Sequence, residues 1–222
     1  MICENLAKTL ESIEKIKERY NRKDSIKLIA VSKYSDIDEI QQAFSCGQIA
    51  FGENKVQDLM AKSRSLSTHN IEWHFIGTLQ ENKINMLIQI KPALLHSLHS
   101  LKLAHALQKR LMREDYKMKA LLQVNSANED SKSGFSLESA FSSYLEILET
   151  CPNIELNGLM CMGANSDDKA LIEKGFLRTQ NLYERLKPYN ANILSMGMSS
   201  DYEIAIACGS NHLRIGSSIF RY

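Results

Sequence analysis

Apolar and polar residues along this chain repeat with two periods, and the order in which those periods alternate predicts the fold. Residues 3–20 set Leu6, Leu10, Ile13, Ile16 and Tyr20 along one stripe with Glu, Lys and Arg elsewhere, which predicts an amphipathic helix. Residues 27–33 form a short apolar run, the first predicted strand, which carries Lys33 to its end and stops at Tyr34-Ser35. Behind it Ile37, Ile40 and Phe44 recur at helical spacing. Asp36, Asp38 and Glu39 fall in the first turn of that helix, with Ser35 as the expected N-cap and Cys46-Gly47 as the stop.

The strand-helix unit then recurs. Further strands are predicted at 49–52, 72–77, 93–97, 119–124, 156–160, 192–196 and 211–215, and helical patterns open near 53, 81, 100, 136, 168 and 200. Eight strands separated by helices predict an α/β fold with a parallel sheet. In 222 residues they favour closure into a (β/α)8 TIM barrel over a doubly wound open sheet. Residues 1–23 are read as an N-terminal helix and 27–218 as the barrel, within one domain spanning 1–222, because only three prolines and no Gly/Ser-rich linker interrupt the pattern. Too few residues follow Ile215 for a full eighth helix, so the N-terminal helix is expected to cover that part of the barrel wall.

Composition narrows the function classes. With 27 basic and 26 acidic residues the formal net charge is +1, so the chain lacks the global field that nonspecific nucleic-acid or anionic-membrane binding would use. No apolar run approaches the ~20 residues that cross a bilayer, and Met1-Ile2-Cys3-Glu4-Asn5 has no signal-peptide core. A cytoplasmic protein with no nucleic-acid or membrane partner is expected. The five cysteines are odd in number and form no C-x-x-C pair, so neither structural zinc nor a disulfide framework is expected. His96, His99 and His105 match no zinc-ligand spacing, and no metal site is expected.

Lys33 is the first candidate for chemistry. It shares a strand face with Ile29 and Val31, so it caps a buried row. An amine in an apolar cavity loses hydration in its charged form, and the neutral fraction can attack an aldehyde or ketone as a Schiff base. A solvated lysine at a strand end is the ordinary alternative. In barrels phosphate is frequently held by the loops after strands seven and eight. Here the first of these is Ser195-Met196-Gly197-Met198-Ser199-Ser200, and Ser200-Asp201-Tyr202-Glu203 fits a capping box, so free helical N–H groups are expected at the mouth. The second is Gly216-Ser217-Ser218, with close backbone approach at the glycine and two hydroxyls. Arg214 shares a face with His212 and Gly216 and should point into the barrel, where a guanidinium seeks an anion or a planar partner. Singly, these are ordinary turn residues or a structural ion pair. Together they set a Schiff-base lysine across one mouth from a phosphate cradle, which suits a small phosphorylated aldehyde such as pyridoxal 5'-phosphate (PLP).

Five segments sharpen this: Ala30-Val31-Ser32-Lys33, Phe51-Gly52-Glu53-Asn54, Trp73-His74-Phe75-Ile76-Gly77-Thr78-Leu79-Gln80-Glu81-Asn82-Lys83, Leu194-Ser195-Met196-Gly197-Met198-Ser199 and Leu213-Arg214-Ile215-Gly216. In combination, over residues 25–220, the chain resembles the pyridoxal phosphate homeostasis protein family, whose members resemble the barrel domain of alanine racemase and other fold-type III enzymes. The resemblance implies PLP as cofactor, a Schiff base at Lys33, phosphate contacts from the Ser199-Ser200 and Gly216-Ser217 regions, and Asn54 near the cofactor. For Arg214 it implies a contact with either the phosphate or the pyridine ring. The chain departs from the family pattern at Thr78, where proline is expected, at Ser217, where threonine is usual, and at Cys161-Met162-Gly163.

Three readings of function compete. A noncatalytic protein would hold PLP, buffer it and supply it to PLP-dependent apoenzymes in vitamin B6 homeostasis. A racemase-like or decarboxylase-like enzyme would need a second base from the opposite face, usually a tyrosine from a further domain, and the chain ends at Tyr222 with no room for one. Tyr34 is a poor substitute, because strand alternation turns it away from Lys33. An aldolase-like enzyme with a barrel lysine would need a proton shuttle beside that lysine. The noncatalytic reading is therefore expected, with Lys132 in the polar loop 125–134 as a secondary acceptor. A monomer is expected, since no exposed heptad or extra arm advertises a partner.

Overall fold

A computed structural model describes residues 1–126 and 133–220; Lys132 lies outside the described residues. Strands β1 (Lys27–Val31), β2 (Ala50–Glu53), β3 (Glu72–Phe75), β4 (Leu94–Leu98), β5 (Met118–Asn125), β7 (Ile154–Cys161), β8 (Ile193–Ser195) and β9 (His212–Ile215) pair in parallel around a closed ring, β4 joining β5 and β1 joining β9. This is the expected eight-stranded barrel. A two-residue strand, β6 (Phe135–Ser136), adds to the end of β5 and had no signature in the hydrophobic pattern. Helices α2 (Ile37–Ser45), α3 (Val56–Ser65), α4 (Ile84–Ile90), α5 (Leu101–Arg113), α6 (Leu137–Thr150), α7 (Lys169–Leu186) and α8 (Tyr202–Ala207) follow successive barrel strands, and the four-residue α9 (Ser217–Phe220) follows β9.

The N-terminal helix α1 (Ile2–Arg19) lies against α2, α8 and α9, covering the wall that the short α9 cannot. Asn5 ties it there, its Nδ2 donating to Ile219 O at 3.0 Å. Its buried stripe is Ile2, Leu6, Thr9, Ile13 and Ile16; Leu10 and Tyr20, expected on that stripe, are exposed. α2 starts one residue later than expected. Asp36, not Ser35, is its N-cap and closes a reciprocal capping box with Glu39.

The two faces of each strand do different work. Outward side chains such as Leu28, Ala30, Phe51, Phe75, Leu122, Leu159 and Leu213 join the helices in one large apolar core. The inward apolar plug is small, built on Leu94, Leu121 and Met160. Beside it and the inward Ile29, the barrel interior carries polar side chains, including the buried His74, His96, Ser195 and Arg214. Cys3 of α1 and Cys46 at the end of α2 are joined as a disulfide with Cα atoms 5.7 Å apart, whereas Cys151, Cys161 and Cys208 are free and buried. This single bridge between two outer helices differs from the sequence expectation. Spacing gave no sign of it, because the pairing depends on how α1 seats beside α2.

Candidate ligand-binding site at the mouth of the barrel

All seven residues expected to bind a ligand line one cavity of about 420 Å³ at the C-terminal ends of the strands: Lys33, Asn54, Ser199, Ser200, Arg214, Gly216 and Ser217. Val31, Tyr34, Ile76, Met162 and Met198 complete its walls. The volume is that of an ordinary small-molecule site, and the donors converge from β1, β2, β8 and β9.

Lys33 lies two residues beyond β1, in a turn. Ser32 N–H still donates to Gly52 O at 3.0 Å, and Ser35 N–H then closes the turn on Ser32 O at 2.9 Å. A buried clamp holds this turn from behind. Glu53 Oε1 accepts from Ser32 Oγ at 2.6 Å and from Lys62 Nζ at 2.7 Å, while Lys62 Nζ also donates to Ser32 O at 2.7 Å. Burial raises the Glu53 carboxyl above its ordinary value, against the pull of Lys62 and Ser32. Lys33 is half-buried, and its ammonium sits 4.9 Å from the centroid of the Tyr34 ring. The turn therefore overrides strand alternation: Tyr34, expected on the opposite face, lines the same cavity. Lys33 accordingly has mixed neighbours, not the apolar cavity expected from the sequence.

Asn54 follows β2 and is positioned by Gly77. A Cβ at Gly77 would stand 1.9 Å from Asn54 O, so only glycine lets the loop after β3 pass behind it. Ser97 Oγ donates to Gly77 O at 2.5 Å and secures that loop.

The rim opposite Lys33 comes from β8 and β9. Asp201, not Ser200, precedes α8, and its Oδ1 accepts from Met198 N–H at 2.6 Å, so the expected Ser200–Glu203 capping box is absent. Glu203 instead pairs with Arg19 at 2.5 Å. Asp201 is buried, which raises its carboxyl. Gly197 bends this loop at φ +95°, and its carbonyl accepts from Arg214 N–H at 3.0 Å. In α9 the described helical bonds begin with Ile219 N–H to Gly216 O, so the N–H groups of Ser217 and Ser218 precede them at the cavity edge.

Arg214 forms the floor. It is buried, with Nη1 donating to Ser195 Oγ at 2.5 Å and Nη2 to Cys161 O at 2.9 Å. Inward orientation was legible from β9 alternation; the partners were not. Sequence reasoning weighed His96 only as a metal ligand and gave His74 no role of its own, so it missed their pairing: the rings meet at 2.9 Å inside the barrel. The signal was there in the alternation of Glu72, His74 and Ile76 along one strand face. Among the described residues no group of three or more His, Cys, Asp or Glu side chains could hold a metal ion, and no helix is long and apolar enough to cross a membrane.

The fold and these residues can be set beside known proteins. The family model described as "Alanine racemase, N-terminal domain" matches residues 5–222. A pyridoxal phosphate homeostasis protein of Helicobacter pylori (strain ATCC 700392 / 26695) is 53% identical over 212 residues, covering 96% of this chain and 95% of that protein. Among solved structures, an unknown protein from Bifidobacterium adolescentis superposes with a TM-score of 0.94 at 32% identity, covering 99% of this chain and 94% of the other. PipY of Synechococcus elongatus PCC7942, solved with PLP bound, superposes with a TM-score of 0.84 at 28% identity, covering 99% of this chain and 100% of that one.

Proposed function

The chain belongs to the pyridoxal phosphate homeostasis protein family, and from that membership we propose that it binds PLP at the barrel mouth, through a Schiff base to Lys33, and buffers or supplies the cofactor without catalysing a reaction of its own. The observation that carries this reading is the convergence on one cavity of an amine, an amide, two loops rich in hydroxyl and N–H donors, and a buried guanidinium. The amine suits an aldehyde carbon, and the Ser199-Ser200 and Gly216-Ser217 edges suit a phosphate. PipY, with 28% identity, was solved with PLP bound.

Arg214 meets the ring end of the cofactor in this reading. Its two terminal nitrogens are held inside the barrel by Ser195 and Cys161 O, beneath the rim where the phosphate donors lie. A guanidinium offers only donors, so it leaves a ring nitrogen facing it unprotonated, which weakens the ring as an acceptor of electrons.

The lining also argues against turnover. Apart from Lys33 and Tyr34, which share one turn and approach from one side, the described lining residues carry no carboxyl, imidazole or thiol. Racemisation needs proton transfer on both faces of a carbon, and this wall places proton-carrying groups on one. PLP-dependent apoenzymes are the recipients that a cofactor supplier would serve.

The test is spectroscopic. Purified protein mixed with PLP should show the visible absorption of a Schiff base, and borohydride should fix the cofactor to a peptide containing Lys33. A fixed adduct on another lysine, or no visible band at saturating PLP, would overturn the assignment. Incubating the loaded protein with alanine or serine in deuterated water should give Cα exchange no faster than free PLP. Faster exchange that is lost in Lys33→Ala would make the protein an enzyme.

A further inference from the structure

Beneath the cavity, the barrel axis is crossed by a continuous line of polar side chains. Arg214 Nη1 donates to Ser195 Oγ at 2.5 Å; that oxygen lies 3.1 Å from His96 Nδ1; His96 Nε2 lies 2.9 Å from His74 Nδ1. His74 Nε2 is then 3.3 Å from Glu72 Oε1, close but not aligned as a hydrogen bond, and Lys27 Nζ donates to the same carboxylate oxygen at 2.5 Å. The members come from β9, β8, β4, β3 and β1. Arg214 sits near the C-terminal end of its strand, whereas Glu72 and Lys27 open theirs, so the line runs from the cavity floor to the opposite end of the barrel.

The chemistry of each member sets the direction of every hydrogen. A guanidinium only donates and a carboxylate only accepts. A bare lone pair on His74 Nε2 would face the Glu72 carboxylate at 3.3 Å and be repelled, so that nitrogen carries the hydrogen. A neutral imidazole has one N–H, so His74 Nδ1 accepts and His96 Nε2 donates to it. His96 Nδ1 must then accept from the Ser195 hydroxyl, whose lone pairs take the bond from Arg214. Starting from Arg214 gives the same polarity, since among the described contacts Ser195 Oγ has only Arg214 and His96 as partners. Both rings are neutral because burial lowers the pKa of His74 and sets that of His96 well below the usual range. Lys27, Glu72, His212 and Arg214 are the charged or titratable groups that act on them from β1, β3 and β9.

We propose that Ser195, His96, His74 and Glu72 are positioning residues for Arg214: a one-way chain of hydrogens that fixes the guanidinium plane from the far end of the barrel. With Nη1 and Nη2 both committed below, the remaining N–H groups are left with one direction in which to meet a planar ring on the cavity floor. The ring contact rests on the reading of the cavity as a PLP site; the chain of hydrogens does not.

The experiment uses the full-length protein, first without PLP. Imidazole 15N spectra should show His74 and His96 as Nε2–H tautomers from about pH 5.5 to 8, with N–N coupling across the bond from His96 to His74. The Arg214 guanidinium N–H signals should be held from rotation in the native protein and in Ser195→Thr, which keeps the hydroxyl, and should average in Ser195→Ala. An Nδ1–H tautomer or an imidazolium at either ring in that range would overturn the chain. An Arg214 signal equally rigid in Ser195→Ala would overturn its positioning role. With PLP added, Ser195→Ala should bind about tenfold more weakly, with a displaced visible band, and Ser195→Thr should restore both. If the native protein binds no PLP, the cavity reading fails while the tautomer and rotation results still decide the chain.

Discussion

Lowering the pH from 7 to 5 should destabilise this fold steeply, through histidines that the native state keeps neutral. Burial pushes His212 down to about 3 and sets His96 well below its ordinary range. Because these pKa values are depressed, the unfolded chain binds protons that the native chain refuses, so stability is full above the unfolded value and lost as pH falls below it. For a histidine of unfolded pKa about 6.5 that stays neutral when folded, the loss between pH 7 and 5 is about 2 kcal/mol. His212 and His96 together give about 4 kcal/mol, and His74, lowered in the same sense, adds to it. Glu53 and Asp201, raised by burial, act in the opposite sense near the acidic end of this window and trim the sum. Glu72, held at about 2 by His74 and Lys27, contributes its own loss only below about pH 4.5. For a chain of this size roughly 4 kcal/mol corresponds to a fall in Tm of about 8–16 °C. Thermal unfolding followed by circular dichroism at pH 7, 6 and 5 and constant ionic strength measures it. His212→Asn should flatten the dependence by about one proton's share. A Tm that is level between pH 7 and 5, or a slope unchanged in the variant, would refute the assignment of the acid sensitivity to these rings.

The cavity makes further predictions. Lys33→Ala should abolish both the visible band and the borohydride-fixed adduct, read by absorbance and peptide mass spectrometry, because no other described lysine lines the cavity. Pyridoxal lacking its phosphate should bind at least tenfold more weakly than PLP in equilibrium dialysis, since charge-assisted contacts at the Ser199-Ser200 and Gly216-Ser217 edges would be lost; equal affinities would remove the phosphate from those loops. Gly77→Ala should cost about 1–3 kcal/mol in urea unfolding and weaken PLP binding, because its Cβ collides with Asn54 O; native affinity in that variant would show that Asn54 does not hold the cofactor.

What was legible in the sequence divides along the two faces of the strands. Outward residues such as Leu28, Phe51 and Leu213 pack on helices, and the repetition of apolar runs and helical stripes is enough to order eight parallel strands. Lys33, Arg214 and the Gly216-Ser217 loop were legible because barrel function gathers at the C-terminal strand ends. What was hidden depends on events where periodicity stops. The turn at Ser32–Ser35 carries Tyr34 onto the face of Lys33, and it is held by Lys62, a helix residue that no local pattern ties to Glu53. The capping assignments at Ser35 and Ser200 each missed by one residue, because an adjacent aspartate took the position: Asp36 through its reciprocal box and Asp201 through Met198 N–H. The interior line from Arg214 to Glu72 was hidden for another reason. Counting Lys27, its members are up to 187 residues apart in the chain, and the closure of β1 onto β9 brings Lys27 and Arg214 into one interior.

That interior explains how the barrel keeps stability and binding apart. The apolar mass lies outside the strands, where α1 seals the wall beside the short α9, so the fold does not depend on filling the barrel with Val, Ile and Leu. The axis is thereby free for polar groups, and these are tolerable only when their partners are supplied, since a buried donor left alone costs about 1–3 kcal/mol. His96 is bonded through both ring nitrogens and His74 through Nδ1, with its Nε2 facing the Glu72 carboxylate at 3.3 Å, and the guanidinium on the floor is anchored on its inner side. A guanidinium held this way is a rigid platform for a ring. Among the described residues that line this cavity, the amine and the phenol both come from one turn, at Lys33 and Tyr34. A second, opposed acid-base group, which racemisation of a ring-bound substrate would require, is the element to look for in the deuterium-exchange experiment.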